Sequence, residues 1–151
     1  MWRSIRLSET ELQLSTVLKC GQAFRWKAST SSPDHWSCVI NRILFTLRQD
    51  CKKVTPCPHC LASHVYFRSF PDHKESREVI EGYLSLDINL SRLYEEWSSR
   101  DKHFRGVAFK MKGVRMLRQD PWECLVGFIC SSNNNIPRIT QMVGQSDLLL
   151  M

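Results

Sequence analysis

The hydrophobic pattern changes period once along the chain, near residue 70. Before that point apolar and polar residues alternate over short runs, and after it apolar residues recur every three or four positions. Across residues 2–18 the apolar positions Ile5, Leu7, Leu12, Leu14, Val17 and Leu18 are spaced as short strands and a turn. In CGQAFRW, residues 20–26, Phe24 and Trp26 flank Arg25, which suits a strand with one buried face. A polar loop over 28–34 follows. Trp36, Cys38 and Ile40 then alternate with Ser37 and Val39, Asn41 and Arg42 mark a turn, and the stretch 43–47 returns, so that 35–49 reads as a hairpin. Residues 65–67 supply a further strand. Strands met one after another imply an antiparallel sheet.

The second half reads as helices. Asp72 and Glu75 are spaced as a capping box, and Val79, Ile80, Tyr83 and Leu84 form one apolar face behind them. Leu90, Leu93, Tyr94 and Trp97 mark a second helix. Asp101 can cap a third that turns Phe104, Val107, Ala108 and Met111 inward, with Gly113 placed to end it. The stretch 120–140, DPWECLVGFICSSNNNIPRIT, begins with Asp120 as N-cap, Pro121 at N1 and Glu123 at N3. Leu125, Val126, Phe128 and Ile129 make that helix apolar almost all round, which predicts burial. Ser131, Ser132, Asn133, Asn134 and Asn135 then compete for backbone hydrogen bonds and end it. Asn tolerates the left-handed conformation, and Asn135 can cap a following helix that has Pro137 in its first turn. The expected form is a polar tip on a buried apolar stalk, with Arg138 just beyond. Strands first and helices afterwards define an α+β fold, with a sheet over 1–70 and a helical part over 71–143. The stretch 144–151 is a tail.

Composition sharpens this picture only in part. The 151 residues carry 21 Lys and Arg against 15 Asp and Glu, a net charge of +6, which favours an anionic partner such as nucleic acid or a membrane surface over a basic one. Lys110, Lys112, Arg115 and Arg118 cluster ahead of the 120–140 stretch. They would serve a phosphate backbone if they shared a surface, and otherwise form a solvated face. Seven Cys is an odd and scattered set, which suits buried thiols in a reducing compartment and argues against a secreted disulfide framework. No run approaches the ~20 apolar residues of a membrane span, and the N-terminus has no apolar core of a signal peptide. A soluble intracellular protein is expected. Cys57 and Cys60 form one C-x-x-C, and with Cys51 and His64 (His59 as a spare) they make a candidate zinc set. A lone C-x-x-C is weak evidence, so a surface loop with free thiols is preferred and no metal is expected. Gly21, taken alone, reads as a turn glycine.

Four motifs in order, GQAFRW, HWSCVI, YLSLDINLSRLYEEW and HFRGVAFKMKGVRMLRQDPWECLVGFICSSNNNIPRIT, closely resemble those of eukaryotic 8-oxoguanine DNA glycosylase. The similarity spans about residues 2–143, is weakest across the Cys-rich loop and around Asp72, and leaves 144–151 divergent. The resemblance implies a sheet of the kind likened to half of the TATA-binding protein, followed by the first helices of the glycosylase's helical region. It implies base-excision repair of oxidised guanine, by a DNA glycosylase and abasic-site lyase that flips the base out of the duplex. Its implied partner is double-stranded DNA with oxidised guanine opposite cytosine. Its implied site residues are Asn133 and Arg138 on the orphaned cytosine and the backbone carbonyl of Gly21 on the oxidised base, with Asn134 and Asn135 shaping the loop. The family's catalytic Lys lies in a G-V-G-x-K-V-A pattern and its Asp in a V-D-V-H pattern. Neither occurs in these 151 residues, and Lys110 and Lys112 match no catalytic position of the family. No catalytic residue, cofactor or metal is therefore expected here. The alternative to family activity is an inert DNA-binding fragment or an unstable truncated product. A monomer that stays off membranes is expected, nuclear by the resemblance, with the mitochondrion as the alternative compartment.

Overall fold

The two residues Asn41 and Arg42 both take left-handed φ values, 50° and 63°, the geometry of a tight two-residue hairpin turn. They join β3 (His35–Ile40) to β4 (Ile43–Gln49) in the expected hairpin, with Trp36 opposite Leu47 and Cys38 opposite Phe45. The computed structural model describes residues 1–50 and 63–146. Cys51, Cys57, His59 and Cys60 of the candidate zinc set lie outside the described residues. His64 is in β5 (Ser63–Phe70), its ring 6.0 Å from that of Tyr66.

Five strands form one antiparallel sheet in the order β1-β5-β4-β3-β2, with β1 at Arg3–Leu7 and β2 reduced to Lys27–Ala28. The strand foreseen over 65–67 is thus an inner strand, paired to β1 on one side and β4 on the other. One sheet face is covered. Ile5, Trp36, Cys38, Phe45, Leu47, Val65 and Phe67 pack there against Leu14 and Val17 of α1 (Leu14–Val17) and against Ile80 and Tyr83 of α2 (Ser76–Tyr83). The same buried cluster takes in Leu84 and Leu117, so the core runs across residue 70 without a break. Gln49 fastens α1 to the sheet, its side chain accepting from Leu14 N at 2.7 Å and donating to Leu12 O at 2.8 Å.

Two local readings are corrected. Asp72 and Glu75 do not form a capping box. Asp72 instead pairs with Arg3 at 2.8 Å, and α2 begins at Ser76 behind Glu75, whose side chain makes no cap bond. The third helix does follow Asp101, whose carboxylate accepts from His103 N and Phe104 N. However, Val107 and Met111 of α4 (Lys102–Lys110) and its end stay 40% and 47% exposed. What holds α4 to α3 (Leu90–Arg100) is an aromatic triad, with Phe104 set edge-on to both Tyr94 and Trp97 at 5.6 Å.

Candidate nucleic-acid interface

The helix at the centre of the site, α5 (Pro121–Ser131), starts where the sequence predicts. Asp120 accepts from Trp122 N at 2.9 Å and Glu123 N at 3.1 Å, and Pro121 occupies the first turn. Its burial is not as predicted. Trp122, Leu125, Phe128 and Ile129 are 57%, 46%, 76% and 63% exposed, and only Gly127 is buried. An apolar pattern all round shows that a helix is suited to burial, but it does not supply the partner that buries it.

The face of α5 that is covered lies on the GQAFRW segment. That segment is no strand. Ala23 and Trp26, three residues apart, are its buried pair, and it spends itself on contacts with distant helices. Gly127 backs onto Phe24, so closely that a Cβ there would lie 3.4 Å from the ring. Arg25 pairs with Glu123 of α5 at 3.1 Å. Trp26 donates its ring N–H to the Tyr83 hydroxyl of α2 at 3.0 Å. Burial holds the Tyr83 hydroxyl well above its ordinary range, and it stays neutral. Gln22 is the residue that sequence reasoning missed. Its amide donates to Arg115 O at 2.7 Å and accepts from Leu117 N at 3.0 Å, while its carbonyl accepts from Gln119 at 2.7 Å. This latch fixes the irregular lead, residues 115–119, into α5. A glutamine beside a glycine carries no periodic signal, so only its place in the GQAFRW motif marked it.

Gly21 stands at the end of that strip with φ +83°, and its Cα faces Ile136, whose Cδ1 would be 3.4 Å from a Cβ. Ile136 opens α6 (Ile136–Ser146). Gly21 also lines a cavity of about 240 Å³ with Phe24, Cys124, Gly127, Phe128 and Ser131. Burial, followed by the nearby Glu123 and Asp120 charges, pushes the Cys124 thiol up and keeps it protonated.

The three asparagines between α5 and α6 divide their work. Asn134 donates to Cys130 O at 2.9 Å and Ser132 O at 3.1 Å, closing the turn on itself. Asn135 caps α6 by accepting from Arg138 N at 3.0 Å. Asn133 takes φ +54° and is exposed, and its amide has no hydrogen-bond partner among the described residues. The Arg138 guanidinium is likewise exposed and unpaired among them. Gly21, Asn133 and Arg138 therefore belong to one local assembly, joined through Ile136 and the α5–α6 turn. The basic cluster foreseen at 110–118 does not form. Arg115 is buried on Glu11 and on the carbonyls of Glu11 and Ser85, and Arg118 is paired with Asp87 at 2.7 Å. Among the described residues no group of three or more potential metal ligands gathers, and no helix is long and apolar enough to cross a membrane.

Residues 4–125 match the family model for the 8-oxoguanine DNA glycosylase N-terminal domain. The chain belongs to that family. It is 38% identical over 144 residues to the N-glycosylase/DNA lyase OGG1 of Arabidopsis thaliana and 33% identical over 150 residues to the N-glycosylase/DNA lyase of Saccharomyces cerevisiae. These matches cover 94% and 91% of the chain but 36% of each relative, so the chain spans about a third of the length of these curated glycosylases. Among solved structures, MBOgg1 in complex with a low-affinity DNA ligand superposes with a TM-score of 0.66 at 22% identity, over 91% of this chain and 43% of that one. The Clostridium acetobutylicum 8-oxoguanine glycosylase/lyase with dsDNA containing cytosine opposite 8-oxoG gives 0.66 at 24% identity, over 93% and 45%. At that identity the structural match speaks for the glycosylase fold, an α+β arrangement of sheet and helices.

Proposed function

We propose that the chain serves the excision repair of oxidised guanine, as the portion of an 8-oxoguanine DNA glycosylase and abasic-site lyase that grips damaged duplex. Its substrate on this reading is double-stranded DNA with 8-oxoguanine opposite cytosine. The α5–α6 turn enters the duplex as the lesion is extruded. Asn133 and Arg138 then donate to the N3 and O2 acceptors of the orphaned cytosine. The carbonyl of Gly21 accepts from the N7–H of the extruded base. Unmodified guanine has an acceptor at N7, which would set one lone pair against another, so the same carbonyl rejects the normal base. We assign no catalytic role to Lys110 or Lys112.

The observation that carries this reading is the division of the asparagines. Asn134 spends its donors closing the turn and the Asn135 side-chain oxygen caps α6, which leaves Asn133 in the turn and Arg138 in the first turn of α6 as exposed donors. Family membership supports the DNA partner, and the bacterial relative was solved on a duplex of the same pairing. The test is fluorescence anisotropy with a duplex carrying 8-oxoguanine opposite cytosine. Asn133→Ala and Arg138→Ala should each weaken binding by roughly 10- to 100-fold, the scale of a lost base contact. The melting temperature should be unchanged in Arg138→Ala and lowered by a few degrees in Asn133→Ala, because alanine tolerates the left-handed φ of +54° less well than asparagine. Unchanged affinity in both variants would remove them as contacts.

A further inference from the structure

The sheet has a second face, turned away from α1 and α2, and its chemistry is unusual for a solvated surface. None of the five strands contains an Asp or Glu, while the register places Arg6, Lys27, His35, Arg48, His64 and Arg68 on this face. The strand register lines up His35, Arg48, Tyr66 and Ser4 across four strands on this open face. Trp2 lies across the same face, its ring stacked on His35 at 5.6 Å. The Arg48 guanidinium sits 4.6 Å from the Tyr66 ring and 5.3 Å from the Trp2 ring, and the Arg68 guanidinium sits 5.2 Å from the Trp2 ring. Neither guanidinium has a carboxylate partner among the described residues, and Nε of Arg48 is buried without a hydrogen bond. Elsewhere the chain does pair its arginines, as with Arg25, Arg115 and Arg118. Here ring faces orient two guanidiniums, and no carboxylate among the described residues compensates their charge.

We propose that this open sheet face is a second nucleic-acid site, one that binds single-stranded DNA. Phosphates would meet Arg48 and Arg68, and bases would stack on Tyr66, Trp2 and the guanidinium planes. Interleaved cations and aromatics on an open sheet supply the two contacts single strands need, charge along the backbone and flat surfaces for unpaired bases. A rigid duplex offers its bases no such access. An acidic peptide would use the charge but leave the rings idle, so the aromatic content favours a strand with bases. DNA is chosen over RNA on the strength of the repair role proposed above, because single-stranded stretches accompany excision. This surface lies in β1, β3, β4 and β5 and shares no residue with the α5–α6 turn.

The test uses the 151-residue chain and a labelled single-stranded oligodeoxynucleotide without 8-oxoguanine. The double variant Arg48→Gln/Arg68→Gln should bind at least roughly tenfold more weakly, and the slope of log affinity against log salt should fall by about 1.4, or about 0.7 for each lost phosphate contact. Tyr66→Leu keeps a bulky strand residue and should lose a similar roughly tenfold through stacking alone, which keeps the test open if the arginine variant folds poorly. Asn133→Ala/Arg138→Ala should leave single-strand binding intact while weakening duplex binding, so the two sites fail separately. Wild-type affinity in both sheet variants would overturn the proposal. So would equal or tighter binding of an oligoribonucleotide of the same sequence, or of a poly-glutamate peptide.

Discussion

Two glycines stand at left-handed φ, and their surroundings rank them. Gly21 at +83° faces only the flexible end of Ile136 at 3.4 Å, while a Cβ on Gly113 at +69° would lie 2.3 Å from Glu9 O and 2.7 Å from Gln13 N. A side chain can shift, but backbone fixed by the Gln13 N to Gly113 O bond of 2.9 Å cannot. Gly21→Ala should therefore cost about 1–2 kcal/mol, the backbone strain alone. Gly113→Ala should cost roughly 3 kcal/mol or more, because the clash adds to the strain. Urea denaturation measures both, and equal losses would contradict the ranking. The sequence placed Gly113 only as a helix end. Its tighter role, seating the 111–114 turn on the loop before α1, depends on residues a hundred positions away and leaves no local trace. The asparagines were more legible, because Asn side chains bond nearby backbone whatever the fold. Which one is left over, Asn133, is set by the turn geometry.

At the scale of elements, the strands were legible where partners are neighbours in sequence. The β3–β4 hairpin follows from alternation and a two-residue turn. The GQAFRW segment misled because Phe24 and Trp26 mimic alternation, whereas its real work is to dock α5 through bonds spanning 93 to 98 residues. Replacing its latch, Gln22→Leu, strands Leu117 N and Arg115 O and should cost about 2 kcal/mol. It should also weaken duplex binding, since α5 and Gly21 lose their common anchor. Thermal melting and anisotropy together check this, and full stability with full binding would count against the latch. A second tie joins the loop before α1 to α3. Glu11 accepts from Leu90 N at 2.9 Å and Ser91 N at 2.8 Å and pairs with buried Arg115. Burial opposes its ionisation, but the hydrogen bonds from Ser91 and Leu90 and the Arg115 charge outweigh that and hold its carboxyl below the ordinary range. A carboxyl depressed in the folded state contributes stability above its unfolded pKa. That contribution is lost as pH falls through the folded value. Stability should drop on acidification below pH ~4.5, and Glu11→Gln should flatten that drop while costing roughly 2–3 kcal/mol at neutral pH. A variant whose acid profile matches the wild type would show that Glu11 is not the sensor.

At the scale of the molecule, α5 gives the chain an apolar side. Phe128, Ile129, Trp122 and Leu125 are open to solvent, with Phe109 and Met116 each 77% exposed. A patch of this kind binds reporter dyes and promotes association. The double variant Phe128→Ser/Ile129→Ser should sharply reduce dye fluorescence while changing stability by less than about 0.5 kcal/mol per site. Undiminished fluorescence would place the apolar surface elsewhere. The fold as a whole was legible because period-2 and period-3.6 segments are segregated along the chain. The site was legible through its motifs, while its assembly depends on the docking of α5 and α6 on the strip at 20–26. On the function proposed above, Asn133 and Arg138 read the base opposite the lesion. Affinities should be compared for duplexes with 8-oxoguanine opposite cytosine and opposite adenine, in the wild type and in Asn133→Ala/Arg138→Ala. The wild type should bind the cytosine duplex more tightly, and the double variant should show no preference. A preference that survives the double substitution would contradict that reading.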